Sequence, residues 1–379
     1  MLRRAIALSA TLATAALAQS HGPFTDLVSV LNGTHGFSSI NAFIAYYPKL
    51  RDSLNELKNV TVLLPKDTAV WEFIEDPRYA ALEAAGEDAL DALLRYHFID
   101  GVHDNITDWV QYHTLLTSPE YTGVTGGQVV FGYNNDHGFE KSFYGGADLS
   151  VSAGSEPILF DGGIVYPVDN VLTIPTKLEE EVEAVANETA FVQALQSAGL
   201  LEEVQALTDV TYFVPNNTAF QLVQDSLSEL SAEELADVLK YHIVQGTILY
   251  YSTFKDGVTL KTLQGDDVTI TINAEEYTGF VNGALFTWSD MPVANGVVII
   301  IDNVLNPSVT DGPADSAVGE GVAAWPTNAI PTSTTDDSAA AATTSEDAAA
   351  YTGAAPSMHR VGTVSIAAII AMVAFAVAL

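Results

Sequence analysis

The chain has 379 residues, 48 of them acidic and 14 basic, for a formal net charge of −34, and no cysteine. Such a charge excludes nucleic acid as a natural partner, because polyanions are repelled and no basic stripe overcomes the repulsion. The missing cysteines exclude a disulfide scaffold, so core burial must hold the fold, and at about 100 to 200 residues per domain the length predicts two or three domains.

Residues 1–18 carry Arg3 and Arg4, an apolar run from Ala5 to Leu17, and the small-x-small site Ala16-Leu17-Ala18, the pattern of a secretory signal removed before Gln19. From Pro23, helical patterns at 26–31 and 38–47 lead into a strand at 60–64 that Pro65 ends. Asp67 is placed to cap a helix running through Trp71, Phe73 and Ile74. A helix over 88–99 follows, with Leu90, Leu93, Leu94 and His97 spaced i, i+3, i+4, i+7 on one face. Residues 121–152, rich in glycine and aromatics, read as short strands and turns, and 163–175 as a buried strand pair or one long bent strand.

The same order then recurs. Helical patterns at 180–186 and 190–198 precede a strand that runs into Pro215, and a second Tyr-His helix places Leu235, Val238, Leu239 and His242 at the same spacing. Ser231 with Glu234 three residues on forms a capping box at its start. Strands are expected at 258–263, 268–272, 279–281, 284–288 and 297–301, with Asn282-Gly283 as a tight turn. The offset between copies is 150 at the proline (65 to 215), 145 at the histidine (97 to 242) and 133 at the aspartate (169 to 302). The order is kept while the first copy carries extra length in loops, where insertions are tolerated. The join at 176–179 is short, which makes the two units close neighbours.

Past Pro307 the composition shifts to Ser, Thr and Ala, and a segment with so few large apolar residues cannot offset the entropy of folding; 309–353 reads as a disordered, glycosylated stalk. Gly353-Ala354-Ala355, a polar spacer and a hydrophobic tail match a glycosylphosphatidylinositol signal, with Gly353 as the lipid attachment residue and 354–379 removed. The alternative is a single-pass helix over the uncharged run 361–379. Five sequons, at Asn32, Asn59, Asn105, Asn187 and Asn216, are candidate N-glycosylation sites of a secreted protein.

A strand ending Pro215-Asn216-Asn217-Thr218-Ala219-Phe220, a helix ending Tyr241-His242, and a closing run from Asn295 to Pro307 together resemble the fasciclin domain. In the first unit Val70 stands where Phe220 does and Pro167 interrupts the last strand, so 19–175 looks like a diverged, longer copy beside 176–308. Signal, tandem domains, stalk and lipid-anchor signal look like a fungal cell-surface protein of that family. The resemblance implies an α+β fold, each domain a small β-sandwich or wedge with helices packed on one side. It also implies a non-catalytic role in cell adhesion or cell-wall and matrix interaction, without cofactors. The implied partner is an extracellular glycan or a matrix or cell-surface protein, met at the outer leaflet of the plasma membrane or in the wall. Carried over from family members in which this segment is implicated in adhesion, Tyr96, His97, Tyr241 and His242 become adhesion-segment candidates.

The residues themselves favour a supporting role for the two histidines, since i+7 from a leucine points inward, at a helix C-terminus whose dipole favours the charged form. If the region touches a partner, Lys240, Gln245 and the loop 247–252 are the exposed neighbours expected to do so. Asp169-Asn170 and Asp302-Asn303 are expected to accept backbone hydrogen bonds at turns. His97, His103 and His113 stand 6 and 10 apart and lack the i, i+4 spacing of a helical zinc pair. Two readings compete with adhesion: a glycosylated wall spacer, and a wall-polysaccharide hydrolase for which no catalytic residue can be named. A hydrolase calls for a deep pocket with perturbed carboxylates, and an adhesion module for shallow patches of exposed aromatics.

Overall fold

The structure is a computed structural model, and it describes residues 24–46, 54, 57–106, 109–135, 140–146, 150–154, 156–186, 188–273, 278–310 and 321–327. The predicted signal, Asn187, Gly353 and the apolar run 361–379 lie outside the described residues.

Strand β1 (Val60–Pro65) is apolar almost throughout because it is covered on both faces, and all six of its residues are buried. It lies between β2 (Phe98–Asp100), antiparallel, and β8 (Gly163–Val168), parallel. The sheet continues from β8 to β6 (Ser150–Gly154), β5 (Glu140–Tyr144), β4 (Val129–Asn135) and β3 (Val110–His113), while β7 (Ile158–Phe160) pairs with β8 alone. In the second unit β9 (Val210–Pro215) takes the place of β1, between β10 (Ile243–Gln245) and β15 (Gly296–Ile301). Its sheet runs on through β14 (Ala284–Val293), β13 (Thr278–Val281), β12 (Asp267–Asn273) and β11 (Val258–Lys261).

Side-chain alternation divides each unit into two cores. Tyr212, Val214, Val298 and Ile300 pack under the helices with Phe191, Leu195, Phe220 and Leu239. Their neighbours Phe213, Ile299 and Ile301 pack against Val268, Ile270 and Val281 of the folded-over strands. The first unit repeats this, with Val60, Val62 and Leu64 toward the helices that contain Leu27, Val30 and Ile40, and Leu63 toward Val130, Phe143 and Val151. Each domain is thus an α+β sandwich with helices on one side. The parallel pair closes so tightly at its start that a Cβ on Gly163 would lie 1.9 Å from Val60 O, and one on Gly296 1.8 Å from Val210 O. Only glycine lets these backbones approach that closely.

Several local expectations change. Pro167 does not interrupt its strand: β8 runs through it, paired Leu64↔Pro167. Lys66 N–H donates to Val168 O, so by alternation Pro167 faces away from β1, beyond the Ile158↔Val165 pair of β7, where no ladder needs its missing N–H. The strand ends at Val168 rather than continuing to residue 175. The Tyr-His helices end earlier than the periodicity suggests, at Glu87–Tyr96 and Ala232–Tyr241, and the residues after each histidine join the sheet as β2 and β10.

Asp67 is not an N-cap. It occupies the first turn of the helix Asp67–Ile74, and its carboxylate accepts from Ser39 N–H and Ser38 Oγ–H at 2.7 Å each, capping the neighbouring helix Ser38–Tyr46 instead. These bonds hold its pKa below the usual carboxylate value even though its partial burial pushes the other way. Asn217 repeats the brace by accepting from Ala190 N–H at 2.9 Å. The Ser231–Glu234 capping box and the backbone contacts of Asp169 and Asp302 match the sequence expectation. Residues 321–327, assigned to the stalk by composition, return to the second domain, where Trp325 Nε1–H donates to Leu305 O at 3.2 Å.

Candidate interaction site at the domain junction

The Tyr-His pairs have almost no surface: Tyr96, Tyr241 and His242 are 0% exposed and His97 3%. Each histidine stitches its helix to the chain beyond the closing strand. His97 Nδ1 bonds Leu93 O at 2.8 Å and its Nε2 accepts from Leu172 N–H at 3.0 Å. His242 repeats both contacts, with Val238 O at 2.7 Å and Leu305 N–H at 2.9 Å. An Nε2 that accepts must be unprotonated, so both rings are neutral with the proton on Nδ1. The helix-end charge expected from the dipole is overridden: burial pushes both imidazoles down to about 4. The tyrosines are anchored likewise, Tyr96 Oη donating to Val129 O and Tyr241 Oη to Asp267 O, each at 2.9 Å.

A surface that the chain does present lies where the two domains meet. Asp209, in a left-handed conformation at φ 55, accepts from Thr125 N–H at 2.7 Å and Thr125 Oγ–H at 2.6 Å. Gln128, fully buried, donates to Val293 O at 3.0 Å, and Gly123 N–H donates to Ala294 O at 2.8 Å. Val129 and Phe131 of the first domain pack with Tyr250 and Val297 of the second. The loop 247–252 therefore spends part of itself on the neighbouring domain. Leu249 and Tyr250 are buried, Ser252 Oγ–H donates to Gln111 Oε1, and Gln245, Gly246, Thr247, Tyr251 and Ser252 stay exposed, with Lys240 partly so.

Beside this junction opens a groove of about 440 Å³. The first domain contributes Trp109 and Tyr144; the second contributes Tyr251, Phe254, Phe286 and Trp288, with Asp290 at the base. Trp109 Nε1–H donates to Asp290 Oδ2 at 2.6 Å, and Tyr251 N–H to Asp290 Oδ1 at 2.9 Å, so one carboxyl holds a wall from each domain. Burial pushes the Asp290 carboxyl up to about 6, against the lowering effect of these two bonds. Register shifts in β14 between Phe286 and Trp288 and between Trp288 and Met291 place extra residues in the strand and turn Asp290 to φ 59. Bulges re-aim side chains in this way beside functional sites.

The sequence reading ends this strand at Trp288 and names neither Trp109 nor Asp290. The available signal was the alternation of aromatic and polar residues in Phe286-Thr287-Trp288-Ser289-Asp290, in a strand otherwise destined for the core. Among the sequons, Asn32, Asn59 and Asn105 are exposed, and Asn216 is half-buried with its side chain capping a helix through Ala219 N–H.

The family model of the fasciclin domain matches residues 35–175 and 186–307, one stretch for each sandwich. The chain belongs to the fasciclin-domain family. It is 28% identical to a fasciclin-like arabinogalactan protein of Arthroderma benhamiae over 72% of this chain and 64% of that one, so it spans just under two thirds of that relative's length. It is also 28% identical to a fasciclin-like arabinogalactan protein of Phaeosphaeria nodorum, over 78% of this chain and 91% of the relative. An animal relative, the transforming growth factor-beta-induced protein ig-h3 of Sus scrofa, is 36% identical over 41% of this chain and 24% of its own length. The fasciclin domains place His97 and His242 inside, and leave the junction groove as an aromatic surface open to solvent.

Proposed function

We propose that this chain is a non-catalytic adhesion or cell-wall interaction module, displayed outside the cell and meeting an extracellular glycan or a matrix or cell-surface protein. The observation that carries the reading is the match of both units to the fasciclin domain, together with relatives named as fasciclin-like arabinogalactan proteins. In the proposed layout a secretory signal precedes domains at 19–175 and 176–308, and a stalk with lipid attachment at Gly353 holds them at the outer leaflet or passes them to the wall. The second domain extends past residue 308 to include 321–327, since Trp325 packs on its core.

The hydrolase reading finds one acid and no pair. Asp290 is the sole carboxyl among the described residues lining the groove, and both of its oxygens already accept bonds, whereas glycoside hydrolysis uses two carboxyl groups across the scissile bond. The spacer reading draws support from the exposed sequons Asn32, Asn59 and Asn105. The two are separated by probing the secreted full chain against an array of wall glycans and matrix proteins. Adhesion predicts saturable binding to at least one of them; uniform failure to bind, with altered wall thickness in a deletion strain, is the outcome that favours a spacer.

A further inference from the structure

We propose that the aromatic groove at the domain junction binds a neutral saccharide, stacked on Trp288 and Tyr251, with Trp109 of the other domain as a wall. This rests on the adhesion and wall-interaction reading above and supplies its ligand class and residues.

Trp288 and Tyr251 stand 38% and 42% exposed at the groove, while Phe131, Phe213 and Phe280 are sealed in the cores. The groove's 440 Å³ falls in the range of about 300–1,000 Å³ in which small ligands are held. A sugar ring has an apolar C–H face and a polar hydroxyl rim, so it lies flat on an aromatic ring and needs hydrogen-bond partners at its edge. The lining has that alternation in its residue types, with Thr278, Thr287 and Ser289 set among Phe286 and Trp288, although the Thr287 hydroxyl donates to Ile300 O at 3.2 Å. Among the described residues Thr278 Oγ1 is buried without a hydrogen-bond partner, an unspent polar group in the groove lining.

Charge narrows the class. No lysine or arginine is among the described lining residues, and the chain's charge of −34 repels anionic sugars. Asp290 is 5% exposed and already accepts from Trp109 and Tyr251, so a cationic ligand would meet no free counter-charge. Asp290 is a positioning residue: it fixes the two walls and leaves the rings to the ligand. Trp109 at φ 45 and Asp290 at φ 59 are both held in the left-handed region, which is strained for a bulky side chain such as tryptophan, and such strain gathers at binding sites.

The test is calorimetric titration of the full chain with neutral gluco-, manno- and chito-oligosaccharides, alongside oligogalacturonate, tetramethylammonium and naphthol. Saturable binding of at least one neutral oligosaccharide is expected. Trp288→Ala or Tyr251→Ala should weaken it by roughly tenfold or more with the melting temperature unchanged. Trp71→Ala, at a 63% exposed tryptophan outside the groove, should leave it intact. The proposal is overturned if only the anion, the cation or naphthol binds, or if the two groove variants keep full affinity. A wall glycan bound equally by wild type and both groove variants removes the groove assignment while the adhesion reading stands; no binding to any wall glycan or matrix protein removes both.

Discussion

His97 and His242 show how one side chain joins two parts of a fold. Each donates from Nδ1 to the carbonyl four residues back and accepts at Nε2 from a backbone N–H 75 or 63 residues away. Acid must break the second contact. The folded pKa of each is pushed from 6.5 down to about 4, so between those values the unfolded chain binds the extra protons and stability falls as pH falls. The slope is about 1.4 kcal/mol per pH unit for each histidine in the middle of that window. Asp290 opposes it, because a carboxyl raised to about 6 gives stability that is complete below its unfolded value near 3.8 and lost as pH rises through 6. Asp302 and Glu188, also pushed up by burial, act in the same direction as Asp290, so the histidine contribution between about pH 6.5 and 4 is the part of the pH dependence that a histidine variant removes. Thermal melts across this range check it, and His242→Ala should lower the melting temperature before it alters adhesion while removing about half of the histidine-driven acid sensitivity. A variant that keeps the whole pH dependence, or loses adhesion at full stability, contradicts the assigned role.

At the scale of elements, the parallel pairs β1/β8 and β9/β15 set the centre of each domain, and both begin at a glycine pressed against a facing carbonyl. Gly296→Ala puts a methyl carbon 1.8 Å from Val210 O, where backbone cannot yield as a flexible side chain would. A loss near the upper end of about 1–3 kcal/mol is expected, read by denaturant unfolding; a cost below about 0.5 kcal/mol would mean the pair can slide apart. The strand β14 was legible in its first half, where Ala284, Leu285 and Phe286 follow the Asn282-Gly283 turn. Its second half was not, because two bulges shift the alternation on which a strand is recognised, and those bulges carry Trp288 and Asp290 to the groove.

At the scale of the molecule, the two fasciclin domains are held by contacts that no repeat pattern contains. Asp209 and Thr125, Gln128 and Val293, Trp109 and Asp290 each bridge the copies. Gly123 marks a close approach: a Cβ there would lie 3.0 Å from Asn295 Cβ and 3.2 Å from Asn295 Cα. Gly123→Val should therefore wedge the junction while leaving each core intact. Scanning calorimetry is expected to show one cooperative transition for the wild type and two for the variant, with adhesion to groove ligands weakened. An unchanged single transition would show that the domains do not depend on this contact for their coupling.

The sequence by itself determined the repeat, the helix cap at Ser231 and the inward direction of both histidines, because periodicity, capping chemistry and turn residues are local and each copy checks the other; the two α+β sandwiches were implied by the resemblance of its motifs to the fasciclin domain. Tertiary structure alone decided that the histidines are neutral, that Asp67 caps a different helix, that residues 321–327 return to the second domain, and that Trp109 meets Asp290 across 181 positions. Each of those depends on which distant groups the fold brings together, and the desolvation that keeps the histidines neutral is a property of the packed neighbourhood that no stretch of chain carries alone.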